Sequence, residues 1–487
     1  MRPIRRTMIV MVWRGALVAV GSLACVGCGS LARNAALSQP PAEQALDPVS
    51  GAGNLAMTAF RATAVATVRQ PVTSVRTGIS LGWSRSREVV VGNVPVSREP
   101  EIPPEHPPGS DGFERLLDRE GLPPARPGKV SCLVDGPAFF GEFDRLIAGA
   151  RRSVDVQVFI FDNDDIACRY ADRLKTASER LKVRVMFDDM GSNWAAVAAP
   201  ETPRPEGFEP VADIGRYLRK GSEVHVRRTL NPWLVADHTK LIVVDDEVAL
   251  LGGMNIGREY FSEWHDLMVR VDGPVVRDLA RDFDRRWGRA GPLGDLSSLF
   301  PPRHVAEIPV PPGAGGVRLL RTDSGRGRME ILRAHIAAIR SSRERVWIQT
   351  PYFASDEIVR AAAAAATRGV DVRVILPDRN DSAVMHANHL ETARELIDGG
   401  AAVFRYPGMT HMKVMLCDDW VTLGSANLDT LSMRINRELN IAFREPAAVR
   451  EVERQVFQRD FRRSRRIQRD ETISPVAPLA ESIADQL

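Results

Sequence analysis

At 487 residues the chain exceeds one compact domain and should fold as two or more units. Its 44% apolar and 26% charged residues, with 37 Gly and 33 Pro, describe a globular chain with Pro-rich connections and exclude a disordered, collagen-like or polytopic membrane protein. The 65 basic and 62 acidic side chains nearly cancel to +3, so no uniform field exists for a nucleic-acid backbone, and five cysteines without a CxxC…CxxC framework give no structural zinc site or disulfide scaffold.

The amino end reads as an address. Arg2, Arg5 and Arg6 form a basic region, and the apolar run from Gly15 to Gly27 covers 13 residues, short of the ~20 that span a bilayer. A secretory signal over residues 1–28 is the expectation, with a short retained anchor as the alternative. Cys25-Val26-Gly27-Cys28-Gly29-Ser30 resembles a lipoprotein cleavage box in which Cys28 takes the lipid; Cys25 is the weaker candidate acceptor. The expected product is a bacterial periplasmic lipoprotein held at a membrane surface. Residues 29–125, crossed by stretches such as Glu99–Pro108, read as a Pro-rich tether with little packed structure, broken only by the strand-like Val89-Val90-Val91.

From Lys129 helix and strand signals alternate. Phe139–Ala150 has helical spacing, and Val154–Phe161 and Arg184–Phe187 are buried strands. Val346–Ile348 and Val372–Leu376 are strands again, around a helix that Ser355 caps and Gly369 ends. This grammar predicts an α/β fold with a parallel or mixed sheet.

A repeat decides the architecture. Val154-Asp-Val-Gln157 matches Val346-Trp-Ile-Gln349 at an offset of 192, and His238-Thr-Lys240 matches His411-Met-Lys413 at 173. Asn255 matches Asn427 and Asp266 matches Glu438, both at 172, and Phe283 and Trp287 line up with Phe457 and Phe461 at 174. The offset falls through an insertion in the first copy, most simply Asn193–Ala212. Two homologous α/β domains, 126–292 and 317–470, are therefore expected as a pseudo-twofold pair, with a linker over 293–316 and a tail over 471–487.

Each copy carries His-x-Lys in a run of strand formers, then Asp245 or Asp418, then an Asn in a tight turn and a carboxylate 11 residues beyond it. On extended backbone i and i+2 share a face, so imidazole and ammonium project together. A base, a cation and an amide donor converging on one point suit a phosphate. One His-x-Lys is weak; two copies with matching downstream spacing are not. Asp245 and Asp418 stand an odd number of residues from their His and read as turn-forming residues that support the site from behind. His386 and His389 share a helix face without a partner at metal spacing, which favours a groove-lining or surface role over zinc. Cys132, Cys168 and Cys417 read as buried small hydrophobes. The six arginines of Arg459–Arg469 read as a solvated helix end that can also meet anionic headgroups.

The paired pattern His-x-Lys-x4-Asp with Gly-(Gly/Ser)-x-Asn resembles the phospholipase D superfamily and, within it, bacterial cardiolipin synthases. Gly253-Met-Asn255-Ile-Gly-Arg-Glu-Tyr260, Trp264-His-Asp266, Gln349-Thr-Pro-Tyr-Phe353, Gly424-Ser-Ala-Asn-Leu-Asp429 and Asn436-Arg-Glu-Leu-Asn440 support the likeness, which spans roughly residues 115–470. One departure is visible: five residues separate Asp418 from Gly424, where six separate Asp245 from Gly252. The resemblance implies one site shared by both halves, without metal or cofactor. His238 would be the nucleophile and His411 the acid/base, a split the residues themselves do not distinguish. Lys240, Lys413, Asn255, Asn427, Gly253 and Ser425 would bind the phosphoryl group, Asp266 and Glu438 would orient the imidazoles, and Asp245 and Asp418 complete the motifs. Phosphatidyl transfer between phospholipids such as phosphatidylglycerol is the expectation. Hydrolysis to phosphatidic acid and a non-catalytic lipid-binding module are the alternatives, and nucleic acid is not expected as a partner.

Overall fold

The computed structural model describes residues 58–91, 105–198, 200, 202–300 and 305–472. The signal, Cys25 and Cys28, and nearly all of the tail lie outside these residues. The first half contributes strands β1 (Arg126–Val134), β2 (Ser153–Val158), β3 (Lys182–Asp188), β4 (His225–Thr229), β5 (Leu241–Val244), β6 (Val248–Gly252) and β7 (Leu267–Asp272). The second contributes β8 (Gly315–Asp323), the short β9 (Arg328–Met329), β10 (Arg345–Gln349), β11 (Asp371–Pro377), β12 (Ala402–Tyr406), β13 (Val414–Cys417), β14 (Trp420–Gly424), β15 (Glu438–Phe443) and the edge pair β16 (Arg465–Arg466).

All join one mixed sheet in the order β16-β12-β11-β10-β13-β14-β15-β8-β1-β7-β6-β5-β2-β3-β4, with β9 paired to β8. Read outward from the β1–β8 junction, the order is the same on both sides, which is the expected pseudo-twofold. The halves meet where Arg126, Pro127 and Gly128 pair antiparallel with Val317, Gly316 and Gly315, so β8 begins inside the segment expected to be linker. Within each half parallel β2-β3-β4 and β10-β11-β12 lie outside, as βαβ crossovers require, and antiparallel hairpins lie inside. The closing helix Val275–Ala290 and its counterpart over 446–463 bury Phe283 and Phe457 in a core built from both halves. Phe283 stacks on Trp287, and Phe457 on Phe461, in the same way.

The missing residue in the second copy falls in the hairpin turn. Three residues separate β5 from β6, and only Asp418-Asp419 separate β13 from β14. Register downstream is preserved, and Asn427 keeps the place equivalent to Asn255. Both turns start with an aspartate at positive φ, 54° at Asp245 and 46° at Asp418, a region that Asp tolerates better than most residues.

Two expectations fail in the tether. Residues 58–69 and Pro71–Val91 are helical, and Val89–Val91 end that helix rather than forming a strand. Asp111–Arg119 is a helix whose Phe113 and Leu117 are fully buried in the second half's core, with Phe113 edge-on to Trp420 at 5.7 Å. Arg318, 2% exposed, donates to Glu114, Asp118 and the Pro123 carbonyl. Nine residues are too few for apolar periodicity to stand out beside the prolines that precede them. Phe113→Ala is expected to lower the unfolding free energy by about 3–5 kcal/mol, as for a buried core aromatic. Urea denaturation reads this, and a change under ~0.5 kcal/mol would return the segment to a tether.

Candidate active site

Each His-x-Lys lies in extended backbone just ahead of a central strand, since β5 starts at Leu241 and β13 at Val414. Both ammonium groups fold back on their own histidine: Lys240 Nζ donates to the His238 carbonyl at 2.8 Å and Lys413 Nζ to the His411 carbonyl at 2.7 Å. Lys413 Nζ also stands 3.0 Å from His411 Nε2, and Lys240 Nζ stands 5.3 Å over the Phe159 ring.

The halves cross at this point. The His238 N–H donates to the Arg437 carbonyl at 2.9 Å, and the Arg437 N–H to Ala236 at 2.9 Å. In mirror image, the His411 N–H donates to His265 at 2.7 Å, and the His265 N–H to Met409 at 3.1 Å. The segment before each histidine is thus paired with the segment before the other half's carboxylate. As a result His238 Nδ1 lies 3.1 Å from both oxygens of Glu438, and His411 Nδ1 lies 2.7 Å from Asp266 Oδ2. A carboxylate on Nδ1 favours the Nδ1–H tautomer and leaves Nε2 with its lone pair.

Gly253 and Ser425 serve these carboxylates rather than a substrate phosphate, a correction to the sequence reading. A Cβ at Gly253 would stand 2.3 Å from Asp266 Oδ1, so only glycine admits the carboxylate. At the equivalent position the Ser425 hydroxyl donates to Glu438 Oε2 and accepts from the Leu439 N–H at 3.0 Å. Asn255 is also committed to the protein: its Oδ1 accepts from the Ile160 N–H at 3.0 Å and its Nδ2 donates to the Tyr260 hydroxyl at 2.8 Å. Asn427 is buried with Oδ1 unpartnered, and its side chain hydrogen-bonds to Asp429.

Asp245 and Asp418 are not in the site, so their place among the catalytic residues is corrected. They stand at the far ends of β5 and β13. Asp245 accepts from the N–H groups of Arg151, Arg152 and Ser153 at 2.7–2.8 Å, and Asp418 from those of Arg343, Glu344 and Arg345 at 2.9–3.0 Å. Each ties the loop entering β2 or β10 to its neighbouring hairpin, the support from behind that their odd spacing implied.

Burial dominates the electrostatics. It holds the His238 imidazole below its ordinary range against the pull of Glu438. His411 is pushed well down by burial, with Lys413, Lys240 and His238 adding to it. Lys413 falls to about 8 through burial, partly opposed by Asp266 and Glu438, and Lys240 falls well below the usual ammonium range. Burial lifts Asp266 to about 7 despite Lys413. Burial thus favours the neutral forms of both imidazoles, both amines and Asp266. An entering anion reverses that balance, because negative charge beside the amines and imidazoles favours their protonated forms.

Several residues near the site had no role in the sequence reading. Phe159 packs on His238 at 4.9 Å, and Trp264 and Tyr260 pack on His411 at 4.8 and 5.6 Å between ring centroids. Asp381, which accepts from the Tyr352 hydroxyl, is lifted by burial and is among the carboxylates that act on Lys413. Tyr260 and Trp264 stand within the recognised motif stretches, whereas Asp381 has no counterpart signal in the repeat. His386 and His389 follow the Ser382 cap as expected, but His389 is buried, and desolvation lowers it to about 3. Cys168 and Cys417 are buried as expected, and Cys132 is half-buried.

Against known families, the model described as cardiolipin synthase, PLD-like domain matches residues 143–287 and 335–461, one match per half. The chain belongs to this phospholipase D-like family and is an enzyme of it. It is 35% identical over 354 residues to cardiolipin synthase A of Pseudomonas entomophila, covering 70% of each chain. To cardiolipin synthase A of Pseudomonas fluorescens it is 32% identical over 363 residues, covering 71% of each. The phosphatidylserine synthase structure from Haemophilus influenzae shares the fold, with a TM-score of 0.58 at 16% identity over 76% of this chain and 95% of that one.

His265, between the two halves, supports the crossing. Its Nδ1 lies 2.6 Å from Asp135 and its Nε2 2.8 Å from Asp460, and its ring stacks on Tyr406. Burial alone would lower it, but the hydrogen bonds to Asp135 and Asp460 outweigh that and raise it to about 9. A folded pKa above the unfolded ~6.5 gives stability that is fully present below pH ~6.5 and lost as pH rises through about 9, up to ~3 kcal/mol. Asp460→Asn is expected to flatten this slope, read as the difference between wild-type and variant urea midpoints from pH 6 to 9.5. Parallel pH profiles for the two proteins would remove His265 from the account.

Proposed function

We propose that the chain is a phosphatidyltransferase of the cardiolipin synthase type. The observation that carries this reading is the crosswise pair of imidazoles, each with Nδ1 on the other half's carboxylate, beside two buried lysines. Nε2 of one histidine attacks the phosphorus of a phospholipid. A nitrogen–phosphorus bond forms as the phosphorus–oxygen bond to the leaving alcohol breaks, and the other imidazole, protonated once the phosphodiester is bound, gives that alcohol its proton. A second lipid hydroxyl then gives its proton to that imidazole while its oxygen attacks the phosphorus. A new phosphorus–oxygen bond forms as the nitrogen–phosphorus bond breaks and frees the nucleophilic histidine. His238 is assigned as nucleophile and His411 as acid/base by likeness to the family. Lys240, Lys413 and Asn427 bind phosphoryl oxygens.

Burial favours transfer over hydrolysis: Lys240 is 1% exposed and His411 and Lys413 are 4% each, under a cover of Phe159, Tyr260 and Trp264. With His238 half-buried, the site restricts bulk water rather than sealing it out, which gives a lipid hydroxyl its advantage. Phosphatidylglycerol is the expected substrate, and the enzyme works from a membrane surface outside the cytoplasm, carried there by its signal and a lipid on Cys28.

Purified protein incubated with labelled phosphatidylglycerol is expected to yield cardiolipin and glycerol. Phosphatidic acid alone would replace transfer by hydrolysis, and no turnover of any phospholipid would overturn the reading. His238→Ala and His411→Ala should each cost at least ~10³-fold in rate. Acid-labile label should be trapped on His411→Ala protein and not on His238→Ala; the reverse pattern exchanges the two roles.

A further inference from the structure

The helix ahead of the first half is turned inside out. A surface helix of a globular protein buries an apolar stripe and shows water its polar face. Here the buried side is small or polar, with Thr58, Ala62, Ala66, Gln70, Thr73, Ser74 and Thr77 against the protein, while the large apolar residues Phe60, Val68, Val72, Val75, Ile79 and Trp83 are exposed. The exposure is large, 67% at Ile79 and 72% at Trp83. Val72, Val75, Ile79 and Trp83 recur at three and four residues and so form one stripe on Pro71–Val91.

The orientation is fixed by specific polar bonds. The Gln70 side-chain amide donates to the Arg289 carbonyl at 2.9 Å, and Thr73 donates to Asp295 through both its N–H and its hydroxyl. The Trp233 indole N–H donates to the Ser74 carbonyl at 2.8 Å, so the helix sits on the segment that leads into His238. At its start Asn193, in the segment inserted in the first copy, donates to Thr58. Beside the helix, Leu296, Leu299 and Phe300 are exposed as well, on the turn that Thr73 holds through Asp295.

Charge identifies the occupant. Residues 48–87 contain no Asp or Glu and five arginines, of which Arg61 is paired with Asp189. Arg76 is exposed on Pro71–Val91, and Arg69 is exposed at the end of the helical segment just before it. Two copies packed through this face would bring like charges together, whereas an anionic lipid surface takes both the apolar stripe and the cations. Among the described residues no helix is long and apolar enough to cross a membrane. The geometry of the stripe is that of a helix lying in the interface.

We propose that the stripe from Val68 to Trp83 lies in the headgroup layer of an anionic phospholipid bilayer and docks the enzyme with the His238 entry segment next to the membrane. The proposal rests on the reading that the substrate is a bilayer phospholipid. It adds which face of the molecule meets that bilayer.

The test uses full-length His411→Ala protein, which binds without turnover, on phosphatidylglycerol-containing vesicles whose acyl chains carry bromine as a tryptophan quencher. Trp83→Phe in that background is expected to remove about half or more of the quenchable emission, as for an aromatic ring seated at the interface. With His411 intact, Val72→Asp, Val75→Asp and Ile79→Asp combined should cut turnover on vesicles at least ~10-fold while turnover of a soluble short-chain phosphatidylglycerol stays unchanged. Unchanged circular dichroism confirms that the triple variant folds. Quenching that is the same with and without Trp83 would overturn the proposal, as would a dimer that the triple variant converts to monomer. Because quenching needs no chemistry, it stands or falls separately from the transferase reading.

Discussion

Everything in the site depends on the crossing of the two halves at the histidines. Neither half can orient its own imidazole, because the carboxylate on Nδ1 comes from the opposite repeat: Glu438 for His238 and Asp266 for His411. The backbone bonds that pair 236–238 with Arg437, and 409–411 with His265, bring each carboxylate to its ring. A single half would leave its carboxylate without the ring it orients. The continuous sheet through β1 and β8 holds the crossing in register.

The symmetry is one of positions, and the chemistry on it has diverged. Gly253 admits the shorter Asp266, and Ser425 holds the longer Glu438 by a hydroxyl. Arg286 and Asp460, 174 residues apart, occupy equivalent places with opposite charge. Arg286 donates to Asp237 and Thr239, and Asp460 accepts from His265 and Gln349. Each replacement is matched by its partner, which preserves the crossing while the surroundings of the two rings differ.

The repeat made much of this legible in the sequence. Strand and helix grammar placed the α/β halves, Ser355 and Gly369 bounded their helix, and the shared spacing brought His238, Lys240, His411, Lys413, Asp266 and Glu438 into view. Spacing along one chain does not reveal which carboxylate meets which ring, since the crossing is a property of chain pairing. For the same reason Gly253 and Ser425 looked like phosphate ligands, when their neighbours in space are carboxylates. The tether was misread because Asp111–Arg119 is only nine residues long, and because the three- and four-residue spacing of Val72, Val75, Ile79 and Trp83 stands among the Thr, Ser and Gly residues of Pro71–Val91.

The crosswise pairing is tested most directly by imidazole NMR on selectively labelled protein carrying Glu438→Gln. Loss of that carboxylate is expected to shift the ring resonances and titration of His238, in the other repeat, and to leave those of His411 in place. A change at His411 with His238 unmoved would mean that each half orients its own histidine, and would contradict the account.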